Sequence, residues 1–308
     1  MDSIVVSPTD LVRRFIFEDR PVRGHWVRLS EAWRELRAHT RYPPPVSDLL
    51  GQAVAASVLL AATLKFRGTL TFQLQGNGAV NLLVAQCTHD FRLRAVARCD
   101  GAGLEALPQG EDGTPFRHLV GSDGRVTVTV EAEEKSLRYQ GVVPLIGTSL
   151  SESLENYFAS SEQLPTRVLL ASDQDSCAGV LVQKLPEHAA GDSDEAAAAW
   201  QAAERGIGVL TTAELLGRPV EDLLGLGFRG RDLRLFRGAQ VSFECRCSQG
   251  RVAGLLRALG ADEVRDVLRE QGVVTVTCEF CQRPYRFDAV DVEVLFKESP
   301  SGGSLAIH

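Results

Sequence analysis

The sequence predicts an α+β protein with a large, mostly antiparallel-sheet N-terminal domain, a helical linker and a small C-terminal domain. Three observations carry that prediction. Period-2 strand patterns between residues 69 and 143 follow one another without intervening helices, which disfavours a doubly wound parallel sheet. Seven glycines then fall between Gly206 and Gly238, a composition unlike that of the preceding domain. Finally, Cys245 and Cys247 form a Cys-x-Cys pair and Cys278 and Cys281 a Cys-x-x-Cys pair, with the whole stretch from Ser248 to Thr277 between them. Two tight pairs from distant segments can supply the four sulfurs of a closed tetrahedral zinc site, which makes the last unit a zinc-binding domain.

The frame suits this organisation. A chain of 308 residues with 44% hydrophobic and 24% charged content has room for one large domain and a smaller one. The N-terminus lacks a basic start followed by an apolar core, so no signal peptide is expected. The longest apolar stretch, from Leu49 to Leu64, is short for a membrane span, includes Gln52, and suits a buried helix better. A cytoplasmic, reducing compartment is therefore expected, with no membrane partner. Paired cysteines there hold metal or respond to oxidation rather than form permanent staples.

Within the N-terminal domain, 1–186, the segments 10–18 and 23–29 read as strands. Ser30 is placed to cap a helix through Leu36, and Tyr42-Pro-Pro-Pro ends that segment before a long helix to Lys65. Strands 69–75 and 79–85 are joined at Gly76-Asn-Gly as a hairpin, and further strands are expected at 91–98, 125–131 and 137–143.

The linker, 187–239, has a polar start and the run Glu195-Ala-Ala-Ala-Ala-Trp200. Each glycine inside a helix costs about 0.5–1 kcal/mol relative to alanine, so the short helices suggested at 213–216 and 220–224 need a neighbour to stay folded. An ordinary helical connector and a metastable segment both fit this composition. Gly225-Leu-Gly227-Phe-Arg-Gly230 matches the dinucleotide-binding pattern, but that pattern has meaning only in a strand-to-helix turn, and residues 220–224 read as helix. The sequence has no Walker loop, Gly-x-Ser-x-Gly elbow or His-Glu-x-x-His, and its six histidines are dispersed, so no enzyme activity is expected.

The C-terminal unit, 240–296, is too small to rely on apolar burial, and a flexible tail, 297–308, follows it. A structural metal worth roughly 10–16 kcal/mol of apparent binding free energy would dominate its folding. Helices are expected at 251–259 and 262–270, and a strand at 273–277 delivers the second cysteine pair. Residues 245–296 hold seven arginines and no lysine against eight acidic residues, and the whole chain has net charge −7. No basic phosphate-binding face is evident, which argues against nucleic acid as a partner. Cys87, Cys99 and Cys177 are scattered singly and read as structural thiols. Two alternatives stay open: a static zinc-ribbon interaction module, and a thiol-disulfide oxidoreductase using Cys278-Glu-Phe-Cys281, although that motif follows a strand rather than opening a helix. Zinc-held thiolates are already deprotonated and nucleophilic, and oxidation would discard the metal.

The chain resembles the heat shock protein 33 chaperonins, the redox-regulated heat-shock holdase family. The resemblance spans nearly the whole chain. It rests on Cys245-Arg-Cys247 with Cys278-Glu-Phe-Cys281, on Tyr139-Gln-Gly-Val-Val-Pro-Leu, on Tyr157-Phe-Ala-Ser-Ser-Glu-Gln-Leu-Pro-Thr166, on Ala178-Gly-Val-Leu-Val-Gln-Lys-Leu-Pro186, and on Tyr285-Arg-Phe-Asp. Ser160 stands where the family commonly has a longer polar residue, and the linker is unusually rich in glycine. The segment from Ser161 to Thr166 reads as a helix end and turn rather than a binding site. The resemblance implies an ATP-independent holdase that binds unfolding client proteins under oxidative stress. It further implies one zinc per chain held by Cys245, Cys247, Cys278 and Cys281 when reduced. On oxidation, Cys245 would pair with Cys247 and Cys278 with Cys281, zinc would leave, and the linker would unfold from an apolar face of the N-terminal domain. The family also suggests a homodimer in the oxidised form.

Overall fold

The computed structural model describes residues 10–18, 20–105, 116–134, 138–186 and 193–297. The chain divides into two units, Met1–Glu244 and Cys245–His308. The expectations for the first nine residues, for the linker start at 187–192 and for the tail beyond Lys297 lie outside the described residues, as does Leu137 at the start of one expected strand.

The first unit begins with β1 (Leu11–Phe17) and β2 (Val22–Leu29), then α1 (Glu31–His39) and α2 (Pro44–Thr63). Strands β3 (Gly68–Gln75), β4 (Val80–Thr88) and β5 (Arg92–Cys99) precede two short helices, α3 (Gly101–Glu105) and α4 (Phe116–Val120). Next come β6 (Arg125–Ala132), β7 (Arg138–Pro144), α5 (Leu150–Tyr157), β8 (Thr166–Ser172) and β9 (Cys177–Lys184). The linker contributes α6 (Ser193–Gly208), α7 (Thr212–Gly217) and α8 (Val220–Gly227), followed by the short strands β10 (Leu233–Leu235), β11 (Ala239–Gln240) and β12 (Ser242–Phe243).

Among the described residues these strands form two six-stranded sheets. One runs β10-β1-β2-β9-β8, with β11 also on β1, and the other runs β12-β5-β4-β3-β6-β7. Every pairing in them is antiparallel except β12 with β5. The α+β class is as expected, but the strands are shared between two sheets, and α2 explains why. This helix is apolar on all sides, with 15 of its 20 residues buried. A helix without a polar face needs apolar cover all round. Strands of both sheets supply it: Val27, Leu29 and Leu181 of the first and Leu70, Phe72 and Leu83 of the second share one core with Leu50, Val54 and Leu59 of α2. The helix is long and apolar enough to cross a membrane, yet 83% of its apolar window is buried inside the protein.

One sequence expectation needs correction. Ser30 occupies the N-cap position of α1, but its hydroxyl makes no capping bond. Asp10 caps the helix instead, its Oδ1 accepting from the Ser30 and Ala32 amides at 2.9 and 3.0 Å and its Oδ2 from Glu31 at 3.1 Å. An ionised side chain that accepts three orphan amides beats a hydroxyl that can satisfy one. Asp10 reaches them from a left-handed backbone conformation, φ 63°, just before β1.

The segment after α5 ends in a one-turn π-helix, Phe158–Glu162, stopped by Gln163 at φ 55°. Tyr139 and Tyr157 both donate to Glu162 Oε1, at 2.8 and 3.1 Å, which ties this turn to β7. The glycine pattern at 225–230 lies in α8 and the turn after it, not between a strand and a helix, so it has no dinucleotide-binding context.

The outer face of the first sheet is covered by the linker helices. Phe15, Phe17, Val22, Trp26, Val180 and Val182 point away from α2 and pack with Leu215, Leu223, Leu224 and Phe228. Thr211 starts α7 with a capping box, its hydroxyl accepting from the Glu214 amide while Glu214 accepts from Thr211.

The second unit contains α9 (Gln249–Leu259), α10 (Ala261–Gln271), the hairpin β13 (Val274–Thr277) with β14 (Pro284–Phe287), and α11 (Ala289–Lys297). Its core is a short set of side chains around Val252, Leu256, Val264, Val274, Phe287 and Val292.

Candidate metal centre

All four clustered cysteines come from places where the backbone has just left, or is about to enter, regular structure. Cys245 and Cys247 lie in the extended stretch before α9, and Ser248 caps that helix by accepting from the Arg251 amide. Cys278 follows β13 directly, and Cys281 lies in the turn to β14. Within that turn the Cys278 amide donates to the Arg283 carbonyl at 3.0 Å and the Gln282 amide to the Cys278 carbonyl at 2.8 Å, with Gln282 at φ 52°. The hairpin register, Val276 opposite Tyr285 and Thr277 opposite Pro284, brings both sulfurs of this pair to one end of the ribbon.

The sulfurs converge. Cys245 Sγ lies 3.6 Å from Cys278 Sγ, and Cys247 Sγ lies 3.3 Å from Cys281 Sγ. All four lie within 4.8 Å of one another. A tetrahedral zinc with Zn–S near 2.3 Å puts its ligands about 3.8 Å apart, so this spacing fits the ion. The donor set fits as well, since four soft thiolates favour zinc over hard oxygen-seeking cations. All four cysteines are partly buried.

Tyr285 donates its phenolic hydrogen to Cys247 Sγ at 3.0 Å. Nothing in the cysteine spacing pointed to this tyrosine. The signal lay in the alternation of β14, which turns Tyr285 and Phe287 to the buried face immediately after the second cysteine pair. Burial opposes ionisation of Cys247, but hydrogen bonds from Tyr285 and the other three thiols outweigh it and bring the group down to about 7. Cys281 goes the other way, to about 12, because burial disfavours its charge and, together with its contacts to the other sulfurs, overrides a bond from the Arg283 amide. Burial also raises Cys245. The protein alone thus favours one thiolate in the cluster, and a dication is what would make all four ionise together.

The remaining cysteines sit elsewhere. Cys87 and Cys177 are fully buried in the first unit, and burial pushes both thiols far up. Cys99 is half-buried at the end of β5, raised by burial and by Asp100. A thiol that stays protonated is a poor nucleophile and a poor metal ligand.

The Hsp33 protein family model matches residues 10–288. The 33 kDa chaperonin of Nitrosococcus oceani is 42% identical over 289 residues, covering 94% of this chain and 95% of the relative. That of Chromobacterium violaceum is 41% identical over 288 residues, covering 93% and 94%. The crystal structure of the 33 kDa chaperonin, a heat shock protein 33 homologue, from Thermotoga maritima superposes with a TM-score of 0.81. It covers 94% of this chain and 98% of its own, and at 24% identity it speaks for the fold. The family match over nearly the whole chain and the relatives named as chaperonins place this protein by descent as well as by shape: it belongs to the Hsp33 family, a family of chaperones.

Proposed function

We propose that this chain is a redox-regulated, ATP-independent holdase of the cytoplasm, which binds unfolding client proteins under oxidative stress. The observation that carries the reading is the cluster of four sulfurs in a unit whose apolar core is small. Cys245, Cys247, Cys278 and Cys281 are the proposed ligands of one zinc per chain. When bound, zinc holds all four sulfurs as thiolates and clamps the α9 approach to the β13–β14 turn.

Oxidation removes the ligands. A thiolate attacks one oxygen of a peroxide, the O–O bond breaks, and hydroxide leaves a sulfenic acid on the sulfur. The thiolate of its partner in the same sequence pair, within 4.8 Å like every sulfur of the cluster, then attacks that sulfur, the S–S bond forms, and a second hydroxide leaves. Two such events use two peroxides and remove four electrons, pairing Cys245 with Cys247 and Cys278 with Cys281. No thiolate then remains to hold a dication, and the unit loses its principal source of folding energy.

The linker, 187–239, joins the N-terminal domain, 1–186, to this switch domain, 240–296. Two of its helices, α7 and α8, have only 6 and 8 residues, and the support of all three is the apolar face beneath them. Unfolding of the switch domain is proposed to release them, exposing the surface on which clients bind and allowing a dimer to form. The absence of a Walker loop from the sequence accords with ATP independence.

The experiment compares reduced, zinc-loaded protein with peroxide-treated protein for suppression of aggregation of a thermally unfolding enzyme, while a zinc-sensitive dye follows metal release. Suppression by the oxidised form alone, with one zinc released per chain, supports the reading. Full zinc retention by protein with oxidised thiols contradicts it and favours a static ribbon. Catalytic reduction of insulin with no effect on aggregation favours the oxidoreductase.

A further inference from the structure

Strand alternation places one set of side chains under the linker helices. Phe15 and Phe17 of β1, Val22 and Trp26 of β2, and Val180 and Val182 of β9 form an apolar strip, each 3% exposed or less while the helices cover it. Gly24 lies opposite Phe15, and a Cβ there would sit 2.1 Å from the ring, so the glycine lets the ring cross β2.

The same alternation sets three arginines around the strip: Arg13 of β1, Arg28 of β2, and Arg167 of β8, which lies beside Val182. Each engages the linker. Arg13 Nη1 pairs with Glu221 of α8 at 2.5 Å. Arg28 Nη1 donates to the Leu216 and Arg218 carbonyls at the end of α7, at 3.3 and 2.9 Å. Arg167 Nε pairs with Glu204 of α6 at 3.1 Å, and its Nη1 holds Glu155 at 2.8 Å. The linker therefore matches the sheet twice, with leucines on the apolar floor and with carboxylates and a carbonyl-rich helix end on the basic rim.

We propose that this face, once uncovered, binds client segments that carry acidic residues beside their apolar ones. That is the pattern the linker itself presents, with Glu221 on Arg13 beside the buried Leu223 and Leu224 of α8, and Glu204 on Arg167 beside the buried Ala203 and Ile207 of α6. The inference rests on the chaperone reading above and names the class of client. Apolar burial supplies most of the affinity and is indifferent to sequence. Discrimination comes from the rim, where a guanidinium donates to a carboxylate in a planar fork and repels a second cation. Arg28 meets backbone carbonyls that either peptide offers, so the preference falls to Arg13 and Arg167. Two surface pairs gained with glutamates, and like-charge repulsion of lysines at the same two places, amount to about a tenfold preference.

The test uses peroxide-oxidised full-length protein and two labelled synthetic peptides with the same leucine and valine positions, one flanked by glutamates and one by lysines. Binding is read by fluorescence anisotropy in 50 mM salt, with aggregation suppression measured on the same preparation. The chain carries net charge −7, so nonspecific attraction favours the basic peptide, and preference for the acidic one requires a local basic surface. The expected result is about tenfold tighter binding of the glutamate peptide, shrinking in 500 mM salt and in the Arg13→Gln/Arg167→Gln variant. The salt series needs no variant and stands if that protein fails to fold. Equal affinity, or preference for the lysine peptide, with aggregation still suppressed would overturn the proposal and leave the chaperone reading intact. An oxidised protein that bound neither peptide and suppressed no aggregation would overturn both.

Discussion

Two glycines in α8, two residues apart, should respond to alanine in opposite directions. Neither has a positive φ, so neither is held by backbone conformation. At Gly225 an added Cβ meets nothing within 4 Å. Alanine there should gain the helix-interior difference of about 0.5–1 kcal/mol, slowing local opening of α8 roughly two- to fivefold. At Gly227 the added Cβ would lie 2.9 Å from the Gly206 carbonyl oxygen and 3.3 Å from Leu210 Cδ2. A backbone oxygen cannot swing aside, so α6 and α8 must separate. Overpacking of this kind costs about 1–3 kcal/mol, more than the helix propensity returns. Hydrogen exchange followed by mass spectrometry on residues 212–227 of the reduced, zinc-loaded protein measures both. Gly225→Ala should protect the segment and raise the peroxide dose needed for activation, while Gly227→Ala should deprotect it and lower that dose. Slower exchange in Gly227→Ala would refute the close crossing of α6 and α8, and faster exchange in Gly225→Ala would refute the view that helix stability limits release.

Acid should weaken the first unit through His25, which is 3% exposed with Nδ1 unpartnered and is lowered to about 3 by burial and by Arg23 and Arg14. Above pH 6.5 both states are neutral there; below it only the unfolded state gains the proton, so stability falls by about 1.4 kcal/mol per pH unit towards pH 3. Denaturant melts at pH 6, 5 and 4 should show His25→Leu with a correspondingly flatter decline, and parallel slopes would sink this account. Asp10→Ala should destabilise the first unit by about 1–3 kcal/mol through loss of the α1 cap, measured in the same way, with Ser30→Ala near neutral by comparison. Brief iodoacetamide treatment of metal-stripped protein should label the four cysteines of the C-terminal unit, which has lost its clamp, and spare Cys87 and Cys177 in the intact first unit, read by peptide mass. Cys278→Ser should abolish tight zinc binding and yield a chaperone active without oxidant, whereas Cys177→Ser should keep regulation.

What the sequence made legible was whatever is local or strictly spaced. Helix α2 is continuous apolar sequence, and the strands from β1 to β7 follow from alternation, so their existence needed no tertiary knowledge. The four cysteines stood out because metal ligation dictates spacing independently of the surrounding fold. Contacts between distant segments stayed hidden. Asp10 caps α1 from 20 residues away, a reach that no local pattern signals. Tyr285 reaches Cys247 across 38 residues. The sharing of strands between two sheets depends on α2 needing cover on two sides. Gly225 and Gly227 look equivalent in sequence and differ only because Gly227 crosses Gly206. The rim of Arg13, Arg28 and Arg167 likewise emerges only when strand pairing is known, since it gathers side chains from three separate strands, β1, β2 and β8.

The central claim is that loss of the four thiolates uncovers the outer face of the first sheet. Hydrogen exchange on reduced, zinc-loaded protein and on fully oxidised, zinc-free protein measures this directly. The account predicts that protection disappears across 193–227 and through 245–296 on oxidation, while β2, β9 and α2 keep theirs. Retained protection of the linker helices in oxidised, zinc-free protein that nonetheless suppresses aggregation would contradict it, and would require a client surface already exposed in the folded chain.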